Sequence, residues 1–450
     1  MKISLALLVG LAGLASLAPA QTPATNTLVL FQNVRIFDGK APALSAPSHV
    51  LVRGNKIEKV SATPIPTDKR GDTTIIDGTG LTLMPGLIDN HIHLFMAGSS
   101  QAQMMDPKAT FESLEATAAE QAKLMLLRGF TAARDVGGPV FGLKRAIDQG
   151  KLIGPRLYPS GAMISQTSGH GDFRMPKDRS RRFGGTMTAG ELMGIGFIAD
   201  GRDEVLTATR ENLRAGATQI KVMAGGGAAS AYDPLDVAQY TLDEMKAAVD
   251  AADDWGTYVT VHAYTPKAVR RAVEAGVKCI EHGQLLDEAT MKLLADKGVW
   301  LSLQTLAEAP ATASPETRAK KHTVVEGTDN SFKWARKYNV KLARGTDLMF
   351  VPAQMKNQNS DIVKLRAWMT PAEALRLVTH DNAQLLALSG PRNPYPGKQG
   401  VIEEGALADL LLVDGDPLVN LDLIADPYKE SPAMIHRWPL RTLRGVEEAT

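Results

Sequence analysis

Residues 86–94 read GLIDNHIHL, an apolar strand-like run with His91 and His93 one residue apart. Side chains on a strand alternate faces, so both imidazoles point the same way, roughly 7 Å apart, and can grip one cation. Such a pair also occurs on solvated strands, so its meaning depends on what else converges on it. His262 lies in TYVTVHA, His282 in VKCIEHG, Lys221 in ATQIKVM, and Asp347 closes VKLARGTD. Imidazole and carboxylate donors suit zinc, and manganese or cobalt accept them too. A cation of this kind acidifies bound water and polarises a carbonyl, the two things amide hydrolysis needs at neutral pH.

Those residues need elements to carry them. Eight strand-like runs cover residues 86–94, 129–136, 155–161, 217–223, 257–263, 277–283, 299–305 and 340–347. Most are separated by stretches with helical periodicity and helix-start signals, such as Thr241-Leu-Asp-Glu, Pro266, Asp287 and Thr370-Pro-Ala-Glu. Alternating strand and helix predicts parallel strands joined by crossover helices, an α/β fold. Eight units predict a (β/α)8 TIM barrel with its active site at the C-terminal strand ends. His91, His93, Lys221, His262, His282 and Asp347 all lie in or at the end of such a run. Before the first run and after the last helix lie short β-rich segments, residues 27–37, 49–60 and 73–83, then 400–417 and 433–443. They predict a small β-sandwich built from both chain ends, as residues 21–84 and 391–450, around a barrel of residues 85–390. The turn-rich GPRNPYPGKQG at 390–400 marks the second boundary.

The ordered set His-x-His, Lys, His, His, Asp resembles the amidohydrolase superfamily in its subtype with two divalent metals bridged by a carboxylated lysine. IKVMAGGG, VHAYT, IEHG, RGTD and GALADLLLVDGDPL are similar to the zinc dipeptidases and carboxypeptidases that include prolidase-like and ochratoxin-hydrolysing amidases. The resemblance spans nearly the whole chain. It implies that His91, His93 and Asp347 hold one metal, that His262 and His282 hold the other, and that Lys221 bridges them as a carbamate. It also implies that Asp347 is the general base for a hydroxide lying between the metals. His170, in SQTSGHGD, and Tyr264 match positions that contact the substrate's α-carboxylate. Taken singly, each has another reading: Lys221 as an ion pair with Asp347, Asp347 as a helix cap, His170 and Tyr264 as packing groups. Arg134 and Asp135 form either a buried pair or a support for the site, and support is the reading taken. His49, His322, His380 and His436 fall in structural contexts.

Lys and Arg number 50 against 49 Asp and Glu, so nothing favours a nucleic-acid partner, and a small amide or dipeptide is the expected substrate. Lys2, an apolar stretch from Ile3 to Ala18 and the small residues Ala18-Pro19-Ala20 predict a signal peptide over residues 1–20, cleaved near Ala20. The mature protein is then periplasmic or secreted, with no membrane attachment after cleavage, and is expected to be a homo-oligomer. The single cysteine, Cys279, excludes a disulfide within the chain and reads as a buried thiol. The basic cluster at 177–182, within the 173–200 insertion, reads as a solvated face. The expected activity is a metal-dependent amidase or dipeptidase. The alternatives are the same site acting on a cyclic amide, lactone or phosphoester, and a non-catalytic binding protein.

Overall fold

The computed structural model describes residues 28–67, 73–104, 106, 108–230, 232–425 and 434–436. The expected signal peptide lies outside them, as does most of the last expected strand segment.

Each of the eight runs contains a strand: Leu87–Ile92, Phe130–Asp135, Arg156–Pro159, Ile220–Met223, Val259–Ala263, Cys279–His282, Trp300–Leu303 and Leu342–Arg344. They are short and buried on both faces, which is why they read as continuous apolar runs. The first three form one parallel sheet. The other five pair in sequence order, also in parallel, within a second sheet. Nothing in the sequence announces the two further strands of that sheet, Met163–Ser165 and Gly196–Ile198, each too short to show a period. The third run, residues 155–161, supplies only Arg156–Pro159 to the first sheet; just beyond it, Met163–Ser165 joins Ile220–Met223 in the other. Backbone bonds link the sheets at both edges. Thr218 donates to the Pro159 carbonyl at 2.8 Å and Asp347 to the His91 carbonyl at 2.7 Å.

Helices follow the strands where the start signals put them. Thr241 and Glu244 form a capping box opening Leu242–Asp254, and Thr370 and Glu373 one opening Pro371–Arg376. Asp287 caps Glu288–Lys297, and Pro266 takes the first turn of Pro266–Ala275. After Pro371–Arg376 the helix widens into a π turn, Leu377–Asp381, before Asn382–Leu386. The buried Asn382 side chain then donates to the carbonyls of Ile88 (2.7 Å) and Arg344 (2.8 Å) and accepts from Arg344 N–H (2.9 Å). One amide thus ties the first strand to the last, where their own ladder is unpaired.

A mixed seven-stranded sheet draws on both chain ends. Leu28–Ile36 lies at its centre, bent by a register shift at Asn33, a left-handed residue. Leu410–Asp414 runs antiparallel to Leu81–Pro85 over five residue pairs. This sheet has its own core of Phe31, Val34, Val50, Val52, Leu83 and Leu410. Arg156 joins it to the parallel sheets through a bidentate pair with Asp409, at 2.7 and 3.0 Å.

Candidate metal centre

The first strand ends at Ile92, and a short helix, Leu94–Ala97, turns away immediately after His93. The His91 and His93 rings sit 5.3 Å apart. Asp347 comes to them from the turn after Leu342–Arg344, its Oδ1 3.1 Å from His91 Nε2 and 3.4 Å from His93 Nε2. Gly345 makes this approach possible, since a Cβ there would stand 2.2 Å from the His91 nitrogen. Asp89 locks the turn: buried, it accepts from His91 N–H, Thr346 N–H, Thr346 Oγ1 and Gln358 Nε2, all within 3.1 Å. One donor atom from each of His91, His93 and Asp347 falls within a 4.8 Å cluster. The capping alternative for Asp347 is not what the side chain does, because it faces the two imidazoles. The ion-pair alternative for Lys221 is likewise absent: among the described residues no carboxylate lies within 4.0 Å of its ammonium.

His282 extends the cluster, its ring 5.1 Å from His91 and 4.4 Å from His262. His282 and Asp347 both have left-handed backbones, φ 78° and 57°. Non-glycine residues hold such conformations at a cost and cluster at functional sites. Lys221 lies in the adjoining strand and is 1% exposed. Tyr264 stacks on His282 at 5.0 Å, and His170 stacks on His262 at 4.0 Å. All eight predicted site residues therefore meet at one end of the parallel strands.

The ring nitrogens are already sorted. His91 Nδ1 meets Glu281 Oε2 at 2.8 Å, His93 Nδ1 the Gly137 carbonyl at 3.1 Å, and His282 Nδ1 the Gln304 Oε1 at 2.7 Å. Each leaves Nε2 to face the cluster. His262 is reversed: Nε2 meets the Gly226 carbonyl at 3.0 Å, so Nδ1 faces inward. Outer partners of this kind fix tautomer and orientation at metal sites. His91 Nε2 is buried with Asp347 Oδ1 3.1 Å away but makes no well-aligned hydrogen bond, a need that a cation between the two would satisfy.

The electrostatics favour neutral rings at three of the four histidines: burial holds His93 below the ordinary imidazole range, whereas at His91 burial and Lys221 are outweighed by Asp347 and Glu281, which raise it. Burial, with His170, His282 and Lys221 as neighbours, holds His262 well below the ordinary imidazole range, and burial outweighs Asp347 to do the same for His282. Neutral imidazole is the ligating form. Burial would raise the Asp347 carboxyl, but His91 and His93 outweigh it and hold it well below its usual value. Burial pushes the Lys221 amine down, with Glu281 and Asp347 offsetting only part.

Glu281 was not among the residues the spacing singles out. It is fully buried, takes Arg134 Nη2 at 2.5 Å, Thr260 Oγ1 and His91 Nδ1, and sits below the usual carboxylate range because Arg134 and His91 overcome burial. Arg134 therefore pairs with Glu281 and supports the site. Asp135 is separate, accepting from Leu94 N–H at 2.7 Å and Gly137 N–H at 3.2 Å, and burial lifts its carboxyl to about 7. Cys279 is buried beside Arg134, its thiol pushed up to about 12 by burial. Among the described side chains, His49 stands in the terminal sheet, while His322 and His380 contact Glu308 and Asp381, outside the cluster. In the 173–200 insertion Arg182 pairs with Glu204, while Phe183 and Leu192 stand exposed.

The amidohydrolase family profile matches residues 82–439. Ochratoxinase from Aspergillus niger is 32% identical over 371 residues, 79% of this chain and 74% of that one. Its crystal structure aligns with a TM-score of 0.78 at 26% identity, covering 91% of this chain and 94% of the other. A prolidase crystallised with N-methylphosphonate-L-proline aligns with a TM-score of 0.82 at 33% identity, covering 91% and 98%. A Xaa-Pro dipeptidase with bound methionine aligns at 0.77 and 27% identity, with the same coverage. A profile match over most of the chain, with these relatives, settles the family: the chain is a member of the amidohydrolase family and a hydrolase of C–N bonds.

Proposed function

We propose that this is an exported, metal-dependent amidohydrolase that cleaves the amide bond of dipeptides or N-acyl amino acids and releases the C-terminal amino acid. The observation that carries the reading is the donor set. Four buried imidazoles each have one nitrogen committed outward and the other facing a common space, which Asp347 and Lys221 share. Such a set fits two divalent cations, zinc by donor type, with His91, His93 and Asp347 on one and His262 and His282 on the other. Lys221 is the bridging ligand in this reading. Its neutral amine forms a C–N bond to carbon dioxide and loses a proton, giving a carbamate whose negative charge suits a dicationic site.

Bound cations would supply acidified water and a Lewis acid for the scissile carbonyl. The chain's own groups do the rest. Asp347, its side chain 24% exposed, takes the proton of the attacking water and passes it to the departing amine. His170 and Tyr264, stacked against the inner face of the His262–His282 pair, contact the substrate and its free carboxylate. We read the eight parallel strands as a closed (β/α)8 barrel over residues 85–390, a reading supported by the edge bonds from Asp347 and Thr218. We read the described parts of residues 21–84 and 391–450 as the β-sandwich domain. The signal peptide at residues 1–20 places the mature, homo-oligomeric enzyme in the periplasm or outside the cell.

The test is release of free amino acids by protein beginning at Gln21, loaded with zinc and bicarbonate, from a library of dipeptides and N-acyl amino acids. Release with a C-terminal preference, lost when the substrate carboxylate is esterified, is expected. Hydrolysis of lactones or phosphoesters alone would overturn the amide reading, and silence from metallated protein would favour a binding role.

A further inference from the structure

The loop after the Ile220–Met223 strand folds back over the His262 side of the cluster. Its Gly226 carbonyl accepts from His262, and the next residue, Gly227, donates its N–H to Asp233 Oδ2 at 2.7 Å. Only glycine fits at 227, because a Cβ there would stand 1.9 Å from the His170 ring. The same Asp233 oxygen lies 2.9 Å from His170 Nδ1, with Ser230 Oγ at 3.0 Å from that nitrogen. Lys320, on the helix Pro315–Tyr338, clips the loop from outside through the carbonyls of Ser230 (3.0 Å) and Asp233 (3.3 Å). Asp233 is 3% exposed, whereas the His170 side chain remains 20% exposed. The carboxylate is therefore out of reach of substrate while the imidazole it touches is not. Burial opposes ionisation of Asp233, yet the His170 contact outweighs it and keeps the carboxyl below its ordinary value.

From this geometry we infer that Asp233 is a positioning residue, which accepts from His170 Nδ1–H and so fixes the ring with its Nε2 edge turned toward the substrate. The inference rests on the amidase reading for its effect on turnover, but not for the tautomer itself. A buried carboxylate on one imidazole nitrogen selects the tautomer and fixes the ring. The ring also stacks on His262 at 4.0 Å, so it is held from two sides. Asp233 acts only through His170, so removing its charge should matter only while His170 is present.

A double-mutant cycle separates this role from a merely structural one. Wild type, Asp233→Asn, His170→Ala and the double variant are loaded with zinc and assayed on the N-acyl amino acid that wild type cleaves fastest. Asp233→Asn is expected to lower kcat/KM about 10- to 100-fold with metal content unchanged, and to cause no further loss in the His170→Ala background. Losses that multiply in the double variant would overturn the inference. Nitrogen-15 NMR of histidine-labelled protein, with the His170 signals assigned by their loss in His170→Ala, needs no turnover. Movement of those signals in Asp233→Asn toward the other tautomer is expected; unmoved signals would overturn the inference even if no substrate is found.

Discussion

The two sides of the metal centre are built differently. On one side His91 and His93 face a carboxylate, Asp347, and are pinned from behind by Glu281 and a backbone carbonyl. On the other, among the described residues no carboxylate pairs directly with His262 or His282: their outer partners are a carbonyl and an amide, and rings of His170 and Tyr264 pack against them. The first side brings its own negative charge. In the proposed reading the second obtains it from Lys221, which carries no negative charge unless modified. The comparison teaches that the two proposed cations should differ in what holds them.

The sharpest way to break that asymmetry is Lys221→Ala. Metal content should fall by at least one equivalent per chain and turnover by about 10³-fold or more, with partial rescue by formate or acetate; both are read by elemental analysis and amino-acid release. Full metal content and activity in this variant would remove the bridge. Next is Asp347→Asn, which should lower turnover about 10²- to 10⁴-fold with the His262–His282 side still metallated. Glu281→Gln should weaken metal binding about 10- to 100-fold, from loss of the charge behind His91. It should also lower the melting temperature, since an unpaired buried Arg134 costs about 3 kcal/mol.

A further effect, on stability and not on turnover, concerns Asp135 and pH. A carboxyl raised from 3.8 to about 7 keeps its proton in the native state after the unfolded one has lost it, so stability falls as pH climbs through that window. Asp135→Asn cannot ionise and retains an acceptor for Leu94 N–H. In metal-stripped protein its melting temperature should therefore gain on wild type between about pH 4 and about pH 8, by up to about 4 kcal/mol of relative stability. Parallel curves would show that Asp135 does not titrate there.

The strands were legible because burial on both faces leaves continuous apolar runs, and the proposed ligands because few residue types can hold a cation at strand ends. His91, His93, Lys221, His262, His282 and Asp347 could be read for that reason, along with His170 and Tyr264 beside them. Glu281 could not. It precedes His282 on the strand, where alternation would send it to the opposite face, yet both reach His91 because His282 turns left-handed at the strand end. Its partner is 190 residues away, a separation no local pattern encodes. Asp89, Gln304 and Asn382 escaped notice likewise, since polar residues inside apolar runs show their meaning only once the distant partner is placed. Asp233 sits in a loop with no period to betray it.

The measurement that tests the account most directly is metal content and amide turnover followed together as zinc and bicarbonate are added stepwise to stripped protein. The account predicts that turnover appears with the second equivalent, requires bicarbonate, and stays absent in Lys221→Ala. Full turnover from metal-free protein, or from one equivalent without carbon dioxide, would contradict it.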